Sequence, residues 1–226
     1  MSIGKCWLAV IVLTLCLLGF GITRGYAAPL TKTEPPIARQ GQQGNWKYRA
    51  SVDRDAGRII ADVQYRLHTV DEVHSFIEAQ QQLGNALAVA KIPTIDTTIV
   101  FSRPLTQSEF ERFAVTYDLN VTSYTLRFVD KENQRITITG SPSGGVLVPE
   151  ELLRSALDDI QQRSPGVLRG WVAVDARISM DAYQKLKGDS TIYLMDVSRT
   201  AIRAAFKEDA EVRDFPVDLI SPQIFW

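Results

Sequence analysis

Residues 95–140 constrain the fold of this chain most strongly, because two hydrophobic periods follow each other within one short stretch. The first part alternates as a half-buried strand does, at Ile95, Thr97, Ile99 and Phe101. A helical spacing follows at Phe110, Phe113, Ala114 and Tyr117. Alternation then returns at Tyr124, Leu126 and Phe128, and again at Ile136 and Ile138. The stretch therefore predicts a strand, a helix and a hairpin in that order.

Two helix starts carry the same signal in the sequence. Thr106 followed by Glu109 forms a capping box, in which each side chain satisfies a backbone donor of the other residue. Leu105 and Phe110 are spaced as a hydrophobic staple across this cap. Thr69 and Glu72 repeat the box at an earlier helix start. Common helix capping explains the likeness of the two segments better than an internal duplication does.

The rest of the chain continues the mixture of strands and helices. An amphipathic hairpin is predicted over residues 46–67 and a helix after Pro149, with a core-facing stripe at Leu152, Leu153, Ala156, Leu157 and Ile160. Alternating strands are predicted over residues 172–178 and 191–197. The fold class is therefore α+β, with a mixed, largely antiparallel sheet and helices on one face. The order strand, helix, strand, strand, helix, strand over about residues 95–178 predicts a ferredoxin-like core.

The first 27 residues have the layout of an export signal or an N-terminal membrane anchor. Lys5 precedes an uncharged apolar run over residues 6–22, and Arg24 follows it. A helix of that length covers roughly 26 Å, against about 30 Å of hydrocarbon in a bilayer. Small residues allow cleavage before Ala28, so both a cleaved signal peptide and a retained anchor helix stay open. Either reading predicts an exported protein, with its domain outside the cytoplasm.

Residues 28–44 are rich in Pro, Gln, Gly and Thr, which predicts a flexible tether. Residues 45–226 then form a single predicted extracytoplasmic domain. Both cysteines, Cys6 and Cys16, lie in the apolar run, so the predicted domain has no disulfide and no thiol chemistry. An exported domain of this kind is typical of a bacterial envelope. With 25 basic and 26 acidic residues, the chain gives no support for nucleic acid as a partner.

The sequence offers few groups for catalysis or cofactor binding. His68 and His74, with Asp71 and Glu72 between them, do not have a recognised zinc spacing. The glycine-rich loop at residues 140–145 lacks the lysine of a phosphate-binding loop and is followed by two glutamates. Adjacent carboxylates on a helix point in different directions, so they do not form an acid–base pair. We therefore expect no metal, no cofactor and no catalytic residue that sequence alone can name.

Two surfaces are candidates for interaction. The outer face of the first hairpin carries a basic group of side chains, Lys47, Arg49, Arg66 and His68, which could meet an acidic ligand or anionic lipid. The C-terminal tail is apolar and ends in Phe225 and Trp226, which we expect to dock on this chain or on a partner.

These patterns favour a non-enzymatic interaction or sensor domain in the bacterial envelope, with a protein partner there and membrane attachment if the leader is retained. An envelope hydrolase with dispersed acidic residues, and a structural subunit of a membrane complex, are the alternatives. A concave site that gathers polar groups would favour the hydrolase, whereas an open sheet edge would favour the interaction domain or the structural subunit.

Overall fold

A computed structural model describes residues 37–65 and 67–220, and they form two compact units. Unit 1 comprises residues 37–65, 67–86 and 201–220, and unit 2 comprises residues 87–200. The described residues hold two sheets and five helices, which confirms the α+β class. The sequence predicts a single domain over residues 45–226. The predicted leader at residues 1–27 lies outside the described residues.

Unit 1 is built on a four-stranded sheet in the order β1-β2-β3-β9. Its strands are β1 Ala38–Gln43, β2 Trp46–Asp53, β3 Arg58–Gln64 and β9 Val217–Ile220. The first three pair antiparallel, whereas β9 pairs parallel with β3. The predicted hairpin is confirmed as β2 and β3, since its alternation places Trp46, Tyr48 and Ala50 inside.

Helix α1, Val70–Val89, starts at the predicted Thr69 capping box. The Glu72 backbone N–H donates to Thr69 Oγ1 at 3.2 Å, and a Glu72 carboxylate oxygen accepts from the Thr69 N–H at 3.2 Å. Phe76 on this helix is 1 % exposed, and its ring lies 4.7 Å from that of Tyr65. The predicted capping box is therefore confirmed, and Phe76 packs inside unit 1.

Part of the predicted tether is a strand. Residues 38–43 form β1, in register with β2 from Ala38 opposite Ser51 to Gln43 opposite Trp46. The flexible-tether prediction is therefore wrong for these residues, because backbone pairing holds a strand whose side chains are mostly polar. At the other end of the chain, Val217–Ile220 forms β9 on the sheet of its own unit.

Unit 2 is built on a five-stranded sheet in the order β6-β5-β7-β4-β8. The strands are β4 Thr94–Leu105, β5 Asn120–Asp130, β6 Arg135–Gly140, β7 Gly166–Ser179 and β8 Ile192–Asp196. All their pairings are antiparallel. The helices are α2 Gln107–Thr116, α3 Glu150–Arg163, α4 Met180–Leu186 and α5 Ser198–Ala205, the last of which continues beyond residue 200.

The strand order of unit 2 differs from the predicted ferredoxin-like core. In that fold the second strand of the hairpin lies between the two strands of the first βαβ unit. Here β7 lies between β4 and β5, while the hairpin strand β6 lies at the edge. The order of elements along the chain is confirmed but the ferredoxin-like topology is not, because two pairing schemes fit the same order of strands and helices.

Helix α2 closes one face of this sheet with an aromatic cluster. Its capping box at Thr106 and Glu109 is present as predicted. Phe110 is fully buried, lies 5.7 Å from Trp171 in a stacked arrangement and meets Tyr124 at the same distance edge-on. Phe113 meets Phe101 edge-on at 5.1 Å. Aromatic pairs at these separations add to the stability that burial alone provides.

Helix α3 does not have the buried stripe that the sequence predicts. None of its residues is buried, and Leu152 is 64 % exposed. Leu153, Ala156, Leu157 and Ile160 are only half-buried. The helical period correctly predicts an amphipathic helix, but it cannot determine how closely the helix packs.

Candidate functional site

The predicted basic residues on β2 of unit 1 lie among glutamines and one aspartate. Lys47 and Arg49 are exposed on β2, where Gln64 and Asp62 of β3 lie directly opposite them. Two glutamines of β1 lie opposite the same residues on the other side. The outer face of this sheet is therefore mixed and glutamine-rich. Arg66, Phe225 and Trp226 lie outside the described residues, so the predictions for them stay predictions.

The two histidines are exposed and do not converge on a site. The His68 backbone N–H donates to Glu72 at 2.8 Å, which makes this residue part of the helix start. His74 lies exposed on the first turns of α1. Among the described residues, no group of three or more histidine, cysteine, aspartate or glutamate side chains could hold a metal ion.

A row of polar residues that the sequence patterns do not reveal crosses the sheet of unit 2. On β7, Asp175 lies opposite Ser123 of β5 on one side and opposite Thr98 of β4 on the other. Thr98 in turn lies opposite Asp196 of β8. Residues directly opposite each other in a sheet point to the same face. We call these four residues, together with Arg199, the Asp175 network.

The Asp175 carboxylate is the centre of this network. Its Oδ1 accepts hydrogen bonds from the Thr98 hydroxyl and, at 2.9 Å, from Arg199 Nη1. Its Oδ2 accepts from the Ser123 hydroxyl at 2.6 Å. The Asp175 side chain is 19 % exposed and that of Arg199 is 31 % exposed, so the ion pair is partly shielded from water. Such a carboxylate links three strands and the start of helix α5.

Asp196, at the end of the row, has a different environment. Its Oδ1 accepts from the Ser198 backbone N–H at 2.8 Å, at the first residue of α5. Burial raises the pKa of the Asp196 carboxyl, although hydrogen bonds from Ser198 and the charge of Arg199 act in the opposite direction. The nearby Asp175 charge adds to the rise. The two carboxyl groups therefore have unequal surroundings on one face of the sheet.

The chemistry open to the Asp175 network is limited by its own hydrogen bonds. Three donors already occupy the Asp175 oxygens, so this carboxylate has little capacity left to accept a proton from a substrate. The arrangement is typical of a satisfied polar network that fixes neighbouring strands in register. Alternation in the sequence marks Thr98 and Asp175 as residues of a non-core face, but only the strand order brings them together.

An arginine with unpaired donors lies elsewhere in the same sheet. Arg127 of β5 is 6 % exposed, and its Nε and Nη2 atoms are buried without a hydrogen-bond partner among the described residues. Burial lowers the pKa of Arg127, and the positive charge of Arg135 on the next strand lowers it further. One sequence signal points to this feature, a cation within the apolar part of β5.

Strand β6 forms an edge of the five-stranded sheet and has only β5 as a neighbour in the described chain. At the turn, the Asp130 N–H donates to the Gln134 carbonyl at 3.1 Å. Because antiparallel hydrogen-bonded pairs alternate, Ile136, Ile138 and Gly140 bond to β5. The backbone groups of Arg135, Thr137 and Thr139 therefore point away from the sheet.

Within residues 37–65 and 67–220, no helix is both long and apolar enough to span a bilayer. Comparisons with family models, with curated proteins and with solved structures find no match to this chain. The proposal for the function therefore rests on the sequence and on the geometry of each unit.

Proposed function

We propose that this chain is an extracytoplasmic interaction module of the bacterial envelope, and that it binds an extended segment of a partner protein along strand β6. The observation that carries the proposal is the backbone edge of β6, which has no second neighbouring strand in the part of the chain that the structure describes. An extended peptide can add to such an edge as a further strand, with main-chain hydrogen bonds supplying the affinity.

The composition of β6 supports this use. The strand reads Arg-Ile-Thr-Ile-Thr-Gly from residue 135 to residue 140, with β-branched residues, one charge and no proline. Natural proteins commonly protect sheet edges with lysines, prolines or bulges. β6 pairs with β5 without a break in register, so the edge is regular over six residues. The four-stranded sheet of unit 1 ends instead in β1, whose residues are mostly polar.

Helix α3, which follows β6 in the chain, adds apolar surface in the same unit. Leu152 is 64 % exposed and Val146, in the loop before the helix, is 54 % exposed. Side chains of this kind could contact a docked segment beyond the strand itself. The partner we propose is therefore an extended, partly apolar segment of an envelope protein.

The leader supports the proposed location. Residues 1–27 carry the pattern of a signal peptide or membrane anchor, and the chain is proposed to act outside the cytoplasm in either case. N-terminal sequencing of protein recovered from the envelope of a bacterial host tests this step. Recovery of Ala28 as the first residue would establish cleavage, and a full-length membrane-bound chain would establish anchoring. An unprocessed chain free in the cytosol would contradict the proposal.

The binding mode is tested at Thr137, whose backbone N–H points outward. Thr137→Pro removes that donor and leaves the bonds between β5 and β6 in place. Thr137→Ser is the matched control, because it shortens the side chain but keeps the N–H. The free energy of unfolding of both variants should lie within about 1 kcal/mol of the wild-type value, because substitutions on the surface usually have small effects.

A photo-crosslinking residue at Thr139 identifies the occupant. The cross-linked segment, made as a peptide, should bind the wild-type and Thr137→Ser chains alike and should bind Thr137→Pro at least about tenfold more weakly. Equal binding to all three chains would refute edge pairing. Cross-links only to another copy of this chain would show self-association instead of a separate partner.

A further inference from the structure

The Arg127 side chain leaves one complete hydrogen-bonding edge unused. Its Nε–H and one N–H of Nη2 are parallel donors on the same side of the planar guanidinium group, and both nitrogens are buried without a partner in the described chain. Buried donors are normally paired with protein or with an ordered ligand or water. A cation held away from water without an anion is strongly unfavourable. The edge therefore lacks an acceptor among residues 37–65 and 67–220.

The two donors define the shape of that acceptor. Parallel N–H groups of arginine match two oxygens on one centre, as in a carboxylate or a phosphate group. A single-atom anion such as chloride has to share one atom between both donors, so it matches the two parallel N–H groups less well than two oxygens do. Because Arg127 is 6 % exposed, only a small ion or the end group of a larger molecule can reach it.

A second cation lies on the same face of the hairpin. Arg127 is opposite Thr137, and Arg135 is opposite Val129, so the two arginines are diagonal neighbours. Diagonal positions lie about 7–8 Å apart, within reach of long side chains. Arg135 is exposed and forms no ion pair with the described residues, and its charge acts on Arg127.

The residues opposite Arg127 on the two neighbouring strands are Gly170 of β7 and Thr137 of β6. Its register partner on β7 is Gly170, which has no side chain. Gly170 has a φ of +126°, and a Cβ there would lie 2.1 Å from the Leu105 carbonyl oxygen, so a larger residue is excluded. On the other side, Thr137 places a hydroxyl group on the exposed strand.

We propose that Arg127 and Arg135 form a binding site for a carboxylate or phosphate group on the β5–β6 hairpin. Arg127 supplies the bidentate contact and Arg135 supplies a second positive charge at the entrance. This site rests on side-chain donors, whereas the strand-pairing proposal rests on the backbone of β6, so either can fail alone.

The test titrates the purified full-length chain with sodium phosphate or sodium acetate, against sodium chloride of equal ionic strength. We expect a saturable rise in melting temperature with phosphate or acetate that chloride does not reproduce. Arg127→Met should lose this response, and Arg135→Gln should weaken it. Arg169→Met removes an exposed arginine from β7 of the same sheet and should keep the full response.

A second result separates a ligand site from a structural arginine. In chloride alone, Arg127→Met should be at least as stable as the wild type, because it removes buried donors that have no partner. The Arg127 Nε–H resonance of the wild type should shift on addition of phosphate or acetate, a readout that does not depend on the variant folding. No anion-specific melting shift together with an unmoved resonance would overturn the site. An equal melting shift in Arg127→Met would place binding elsewhere and overturn it as well. A shift with phosphate alone or acetate alone would identify the preferred group.

Discussion

Replacing the Asp175 carboxylate tests whether the Asp175 network stabilises unit 2. Asp175→Asn keeps the shape of the side chain but removes the charge that pairs with Arg199 at 2.9 Å. The Ser123 hydroxyl can rotate to accept from the new amide N–H while Thr98 still donates to the remaining oxygen, so part of the network survives. Asp175→Ala removes all three side-chain hydrogen bonds.

The size of each effect follows from burial. Hydrogen bonds to charged groups contribute about 1.5–3 kcal/mol each but are not additive within one network. For a pair that is partly exposed, we expect a loss of about 1–3 kcal/mol for Asp175→Asn. We expect about 3–5 kcal/mol for Asp175→Ala, because Arg199 then loses its partner in a half-buried position.

Urea unfolding of the full-length chain measures both losses, with Asp158→Asn on the exposed face of α3 as the control. The control should lie within about 0.5 kcal/mol of the wild type. A double-mutant cycle with Arg199→Met should show coupling between the two residues. If Asp175→Asn unfolds at the same urea concentration as the wild type, or at a higher one, the carboxylate is not a stabilising centre. It would then be a strained group of the kind that functional sites contain.

Three further predictions concern local features of unit 2. Thr106→Ala should destabilise the protein by about 1 kcal/mol, because the helix cap is lost. Phe113→Ala should destabilise it by about 3–5 kcal/mol, because the substitution leaves a cavity. A larger loss for Thr106→Ala than for Phe113→Ala in chemical denaturation would contradict the helix orientation. Gly170→Ala should lower the free energy of unfolding by at least about 2 kcal/mol, because a backbone oxygen occupies the Cβ position. Gly144→Ala, whose Cβ meets open space, should lower it by about 1 kcal/mol. Equal denaturation midpoints for the two variants would refute this prediction. Hydrogen bonds from Arg103 and from Thr106 lower the pKa of Glu109 to about 2. Its stabilising effect is therefore present above the unfolded pKa of about 4.3 and is lost as the pH falls toward 2, so Glu109→Gln should unfold with a flatter pH dependence over that range.

Local features of this protein could be predicted from sequence because their partners lie a few residues apart. Thr106 and Glu109 form the cap of α2 in the structure as in the sequence pattern. The β2–β3 hairpin follows from alternation around a turn, with Trp46 and Tyr48 inside. In each case the interacting groups are set by the period of a helix or strand, which a single segment contains.

Pairing between distant segments could not be predicted in this way. β1 is polar and is a strand because it pairs with β2, and α3 carries a helical stripe that stays half-buried. The strand order that places β7 between β4 and β5 decided against the ferredoxin-like topology. These outcomes depend on which elements meet, and the same apolar pattern is compatible with more than one neighbour.

The candidate sites also depend on pairing between segments that are distant in the sequence. Nothing near Asp175 in sequence points to Thr98 or Ser123, and only the register of three strands places their hydroxyl groups on its oxygens. The sequence shows a cation at Arg127, but not that the side chain is buried with two donors that have no partner among the described residues. Sequence periodicity determined which face of each strand is apolar. The tertiary structure decided which polar groups meet on the other face, because hydrogen bonds require a geometry that only the assembled sheet supplies.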